Sequence, residues 1–511
     1  MKVQVSTSGL QPDEVVAVAR NGALVEISGE ASEAMARSRS RIEALARSET
    51  PVYGVSTGFG ALATRHIPPE RRKDLQRSLI RSHAAGTGDE VEVEVVRAMM
   101  LLRLATLASG RTGVRPAVAL AYASALNAGI TPRVLEYGSL GCSGDLAPLA
   151  HVALFMMGEG EGRDRNGELR AASHLLDLAA IEPLELSEKE GLALVNGTDG
   201  MLGMLILGLS NLSALCTAAD VAAAVSVEAL FGTDRVFAAD LHEPLRPHPG
   251  QADSAANIWQ MLRGSDIVES HKVADNRVQD AYSLRCAPQV AGAVRDTITH
   301  ASIVVARELA STVDNPVVLA DGRVESNGNF HGAPLAYIAD FLAIVVADLA
   351  SMSERRSDRM LDPSRSHGLP PFLAHEPGVD SGYMIAQYSA AGIVNELKRL
   401  AAPSSVDSIP SSAMQEDHVS MGWAAARKLR RAIDGLSRVL AIELMIGTRA
   451  LDLRAPLAPA PATAAVRDEL RKTVPGPGAD RWVAPEIQAA VDALVSGRLI
   501  DAAKTVTGAL R

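Results

Sequence analysis

GMLGMLILGLSNLSALCTAA, residues 200–219, is the longest stretch of the chain without a charged residue, and how it is read decides the fold. Its length raises a membrane span, but Ser210, Asn211, Ser213 and Thr217 interrupt it and no basic flank follows. A helix buried on all sides, inside a bundle or an oligomer, fits it better. Working outward, VEVVRAMMLLRLATLAS at 93–109 stops at Gly110 and the pattern at 114–128 stops at Gly129, each a glycine helix stop. Further helices are expected near 199–230, 288–313, 334–360, 380–401 and 418–452. Several exceed the usual range of roughly 8 to 20 residues, which predicts a mainly α fold built on a central bundle of long helices. Strand signal is sparse. The clearest case is PVVLADGRVES at 316–326, where Asp321-Gly322 between short β-branched runs predicts a tight hairpin. Pro-rich stretches near 453–485 set off a small helical tail. The expected organisation is a loop-rich N-terminal portion over 1–195, the bundle over 196–455, and the tail over 456–511.

Seven Phe, seven Tyr and three Trp in 511 residues make the chain 3% aromatic, while 47% is hydrophobic, so the core is aliphatic. With 22% charged residues this describes a globular protein and excludes a disordered or collagen-like chain. Fifty Lys plus Arg against sixty Asp plus Glu leave a net charge of -10, which gives no reason to expect nucleic acid or an anionic membrane as partner. Cys142, Cys216 and Cys286 are widely spaced and form no paired metal motif, which argues for a reducing compartment. The start MKVQVSTSGLQPDEVV lacks a basic segment leading into an apolar run, so a cytoplasmic location is expected.

Conventional signatures are missing: there is no GxxxxGK[ST], no HExxH and no CxxC, and no metal is expected. Gly54-Val55-Ser56-Thr57-Gly58 spells the G-x-S-x-G of a hydrolase elbow, but that motif needs a strand-turn-helix context, so a plain glycine-rich loop is the stronger reading. The informative segment is GSLGCSGDLAPLAH at 138–151, centred on Cys142-Ser143-Gly144-Asp145. Gly144 has no side chain, which permits its amide nitrogen to approach the carbonyl of residue 142. Closure with loss of two waters would leave a ring with a conjugated methylene derived from Ser143. An ordinary loop in which Ser143 caps a helix fits the same spacing, and the segment alone does not separate the two.

Taken together, YGVSTGFG (53–60), RSHAAG (81–86), GSLGCSGDLAPLAH, NGTDGM (196–201), VQDAYSLRCAPQ (278–289), ESNGNFHG (325–332) and MQEDHVSMG (414–422) strongly resemble the aromatic amino acid lyase family. The match keeps one order from about residue 10 to about 455. The resemblance implies a helical fold shared with the aspartase and fumarase superfamily, and a homotetramer with active sites assembled from three subunits. It also implies that Cys142-Ser143-Gly144 cyclises to the electrophile 4-methylidene-imidazol-5-one (MIO). Many relatives begin that tripeptide with Ala. Only the backbone carbonyl of residue 142 is consumed, so ring closure survives the change to Cys.

An α-ammonium is a poor leaving group and an amino acid β-hydrogen is barely acidic, so elimination calls for an electrophile that activates the amine. By resemblance Tyr53 is the base that takes the β-proton, and Arg285 binds the substrate carboxylate through its planar donor pair. Asn196, Gln279 and Tyr282 orient the ring and the amine, Phe330 packs beside the prosthetic group, and Asp145 assists ring formation. The resemblance also places His83 and Glu416 facing the substrate side chain, where an imidazole and a carboxylate match the two nitrogens of an imidazole ring. The expected reaction is therefore loss of ammonia from L-histidine to give trans-urocanate. A lyase or aminomutase acting on another aromatic amino acid is the alternative. A silent family member serving as a helical scaffold is disfavoured by the joint presence of Tyr53, Ser143, Asn196, Arg285 and Glu416. One departure from the pattern lies at Tyr383-Met384 in SGYMIAQY, where members acting on histidine are expected to carry Leu. A Tyr383 ring reaching the pocket would alter the substrate or hold released ammonia for re-addition.

Overall fold

The computed structural model describes residues 1–48, 52, 54–58, 65–273 and 277–511. Among these the chain is mainly α: nineteen α-helices are joined by strands of no more than four residues. The uncharged stretch lies in a helix running Asp199–Ala229. Ser210, Asn211, Ser213 and Thr217 are among its few positions not buried, so the polar interruptions mark one face at helical spacing. This helix and Ala333–Leu361 are long and apolar enough to cross a membrane, but 72% and 61% of their apolar windows are buried within the protein, as core helices are.

The glycine stops fall where expected. Val93–Ala108 ends before Gly110 at φ 70°, and Pro116–Ala128 is closed by Gly129 at φ 73°, a conformation glycine adopts without a Cβ penalty. The hairpin pairs Val317–Val318 with Val324–Glu325 antiparallel, turning at Gly322 with φ 83°. Three helices are shorter than their periodicity predicts, and other bonding explains each. Ala287–Leu309 stops early because the following segment gives the Val313 carbonyl to Arg103. Met384–Leu400 starts late because the Ser381 and Gly382 amides donate to the Asp480 carboxylate instead. Gly422–Asp452 starts late because Ser420 and Met421 bond to the loop at 140–141. The parallel pair Lys2–Val5 with Leu24–Ile27, joined by the helix Pro12–Asn21, had no counterpart in the periodicity.

The chain divides into two compact units. The first comprises Met1–Leu207, Ser302–Asp340 and Pro403–Arg427. Its core helix Val93–Ala108 is buried almost all round and carries two buried arginines, Arg97 and Arg103. The second comprises Gly208–Ala301, Phe341–Ala402 and Lys428–Arg511. Its helices approach closely at glycines: a Cβ on Gly435 would meet Leu397 at 2.8 Å, and one on Gly447 would meet Val225 at 2.6 Å. There the buried Glu228 carboxylate accepts from the Ala460 amide at 2.6 Å, which fixes the positive end of the tail helix Pro461–Leu470.

Candidate active site

In the first unit, the loop 138–145 is held by contacts that leave residue 144 no room for a side chain. Gly144 has φ 83° and pairs with Gly197, where a Cβ would meet the carbonyl oxygen at 2.1 Å. The next amide, Asp145 N–H, donates to that same carbonyl at 2.7 Å. The buried Asp145 carboxylate accepts from Ser139 Oγ at 3.0 Å and from the Gly200 and Met201 amides, both at 2.9 Å. Those two amides open the helix Asp199–Ala229, a site that favours negative charge. Burial opposes them and pushes the Asp145 carboxyl up to about 7. From the other side Ser420 Oγ donates to the Gly141 carbonyl at 2.8 Å, and Met421 N–H donates to the Leu140 carbonyl at 2.8 Å. Ser139→Ala removes one donor from a carboxylate that burial already disfavours. It is expected to destabilise the chain by about 1–2 kcal/mol, read as a lower urea midpoint at unchanged slope; an unchanged midpoint refutes it.

Behind the loop lies a buried ionic frame. Arg103, with no exposed surface, pairs with Asp199 at 2.8 Å and donates to the carbonyls of Ala193, Asn196 and Val313 at 2.9, 2.8 and 3.0 Å. Lys189 and Asp314 form a second fully buried pair. Asn196 donates through Nδ2 to the Asn315 carbonyl at 2.9 Å, and Asn327 donates to the Asp314 carbonyl at 3.0 Å. One guanidinium thus ties the segment carrying Asn196 to the segment at 313.

The loop opens onto a cavity of about 460 Å³ whose lining includes Cys142, Ser143, Asn327, Phe330, Glu416 and His418. Ser143 Oγ donates to Glu416 Oε1 at 3.3 Å, and Ser411 Oγ donates to Oε2 at 3.2 Å. Burial, with the Glu416 charge adding to it, pushes the Cys142 thiol up to about 12. Burial also lowers the basicity of His83, while the negative charge of Glu416 works against that. The unit therefore brings together Cys142, Ser143, Gly144, Asp145, Asn196, His83, Phe330 and Glu416. Ser56 of the G-x-S-x-G match is fully buried and its Oγ accepts from the Val52 amide at 3.0 Å, in a turn and not an elbow. Tyr53 lies outside the described residues.

Gln279, Tyr282, Arg285 and Tyr383 belong to the second unit. Tyr282–Arg285 is one short helix, with the Arg285 guanidinium 4.7 Å from the centre of the Tyr282 ring. Among the described residues no acceptor meets Arg285 Nε, which suits it to an anionic ligand. Gln279 and Tyr282 are exposed. The Tyr383 ring is 2% exposed and lies under Arg449 at 4.8 Å, and burial raises its phenol pKa.

The model of the family described as aromatic amino acid lyase matches residues 10–472. The chain belongs to the aromatic amino acid lyase family. As a member it is a carbon–nitrogen lyase. It is 64% identical to a protein of Streptomyces coelicolor named histidine ammonia-lyase, over 100% of this chain and 99% of that one. The solved tyrosine aminomutase of Streptomyces globisporus superposes with a TM-score of 0.94 at 37% identity, covering 100% of both chains. The solved histidine ammonia-lyase of Trypanosoma cruzi gives 0.90 at 37%, covering 99% of this chain and 96% of that one. Sequence reasoning about this lyase missed Arg103, Ser139, Ser411 and Ser420. Arg103 and Ser420 meet partners far along the chain, whereas Ser139 and Ser411 bond carboxylates six and five residues away, in loops that no spacing pattern announces. His331 and His418 stood inside segments already singled out, but without a role.

Proposed function

We propose that this lyase removes ammonia from L-histidine to give trans-urocanate, using MIO formed from Cys142, Ser143 and Gly144. The observation that carries the reading is the cavity at Ser143, where the Glu416 carboxylate lies beside the tripeptide and within electrostatic reach of the His83 ring. A carboxylate and an imidazole suit an imidazole side chain, whereas a phenyl ring calls for apolar walls. The name of the 64% identical relative agrees with it. The tripeptide fits the group on chemistry visible here: residue 144 sits where only glycine is accommodated, and the buried Cys142 thiol stays protonated, so it does not compete as a nucleophile. When formed, MIO supplies an electrophilic methylene that makes the substrate amine a better leaving group.

The residues then divide the work. Tyr53 takes the β-proton. Arg285 binds the carboxylate, and its unpaired Nε is available for a two-point contact. Asn196, Gln279 and Tyr282 orient the amine, Phe330 walls the cavity, and His83 with Glu416 reads the ring. Asp145 holds the loop to the helix at 199–201 and assists ring formation. Tyr383 lies buried under Arg449 and is given no role in substrate choice. The working form is a cytoplasmic homotetramer with shared sites. Apolar side chains left exposed on two helices support assembly: Phe341 and Ile344, both 46%, and Ile385 and Tyr388, 60% and 61%.

Purified protein incubated with L-histidine is expected to develop urocanate absorbance. No product from protein that carries the MIO absorbance would sink the substrate assignment. The fit to tyrosine aminomutase favours a second reading, return of ammonia to the β-carbon of an aromatic amino acid. Product chromatography separates them, since that route yields a β-amino acid and the first an unsaturated acid.

A further inference from the structure

We propose that His331 and His418 form a fixed pair that holds the Nε2–H of His418 in the cavity as a hydrogen-bond donor to the substrate's imidazole ring. The inference rests on L-histidine as substrate and concerns two residues given no role above. His331 Nδ1 accepts from the Ala333 amide at 3.4 Å, at the start of the helix Ala333–Leu361. A nitrogen that accepts from N–H carries no proton in the neutral ring, so the His331 proton sits on Nε2. His331 Nε2 lies 3.4 Å from His418 Nδ1, with the ring centres 5.5 Å apart. Nε2 therefore donates and His418 Nδ1 accepts, which leaves the His418 proton on its own Nε2. The backbone amide thus sets both tautomers in turn. Both rings line the cavity that holds Ser143 and Glu416.

A donor is what this cavity needs. A neutral imidazole side chain offers one N–H and one bare nitrogen, and Glu416 is suited to accept from the first. The bare nitrogen calls for a donor. His418 Nε2–H supplies one at the cavity wall, beside the pair His83 and Glu416 that reads the ring, and His331 is its positioning residue.

The test uses the full-length protein and four variants: His418→Leu, His331→Leu, His418→Gln and His331→Gln. Glutamine keeps a donor near the Nε2 position and leucine keeps none. Both leucine variants are expected to raise KM for L-histidine, and the inhibition constant of trans-urocanate, about tenfold, the worth of one hydrogen bond. Their kcat should stay within about threefold of wild type, since a ring contact binds ground and transition states alike. Both glutamine variants should recover most of the loss. Unchanged KM and urocanate inhibition in the leucine variants overturn the pair, as do glutamine variants damaged as much as leucine ones. If the leucine proteins fail to fold, glutamine variants with near wild-type constants support the proposal and a tenfold loss in them overturns it. Wild-type protein that makes no urocanate removes the substrate reading and this inference together. Wild-type turnover with insensitive variants removes the inference alone.

Discussion

Ser143→Ala is expected to abolish turnover, by more than about a thousandfold, while leaving the chain folded; each factor of ten in rate is about 1.4 kcal/mol of barrier. Alanine has no hydroxyl to lose, so the methylene that receives the substrate amine cannot form and the covalent route is closed. The folding cost is small because among the described residues the hydroxyl makes one hydrogen bond, 3.3 Å to Glu416, while the backbone contacts at 144 and 145 that shape the loop do not involve it. Peptide mass spectrometry reads the chemistry directly. Loss of two waters leaves the wild-type peptide containing Ser143 lighter by about 36 Da, and the variant lacks that deficit. Two results would refute this account: a variant that retains turnover within tenfold of wild type, or a wild-type peptide at its unmodified mass.

Arg103→Leu is expected to lower stability by about 3–5 kcal/mol, the cost of stripping one partner from a buried ion pair. Asp199 loses the cation that favours its charged form, and the carbonyls of Ala193, Asn196 and Val313 lose their donor. Burial already raises the Asp199 pKa, and Arg103 is first among the groups that oppose the rise. Arg103→Lys should recover little, because a compact ammonium cannot span four acceptors that a planar guanidinium reaches. The measurement is the urea midpoint at matched slope. A loss under about 1 kcal/mol in the leucine variant, or full recovery with lysine, would show that the frame is not carried by this side chain.

The long helices were legible because their signal is local: apolar periodicity, then a glycine where the chain must turn, as at Gly129. Their starts at Met384 and Gly422 were not, because Asp480 and the loop at 140–141 claim those amides from a distance. The same division runs through the site. Cys142-Ser143-Gly144 is contiguous and could be read as a unit, and its requirement for glycine is met at Gly197. Arg103 shares a largely apolar helix with Glu94 and Arg97, and nothing in its own stretch of sequence tells a frame from an incidental cation. The histidines at 331 and 418 were visible as residues, but their pairing exists only once the chain has brought two loops together.

The clasp around residues 138–145 makes the timing of maturation a property of the tertiary structure. Gly144 meets Gly197, Asp145 reaches residues 200 and 201, and Gly141 is gripped by Ser420, so the loop's shape is assembled from stretches that meet only after the surrounding unit has formed. A nascent or misfolded chain holds the same three residues in sequence but not in this conformation. Ring closure would then run only in molecules that have completed the fold, and the missing mass would become a permanent tally of them. In a preparation of mixed quality, the fraction of peptide at the lower mass would count the chains that once reached the native state, including those that later lost it.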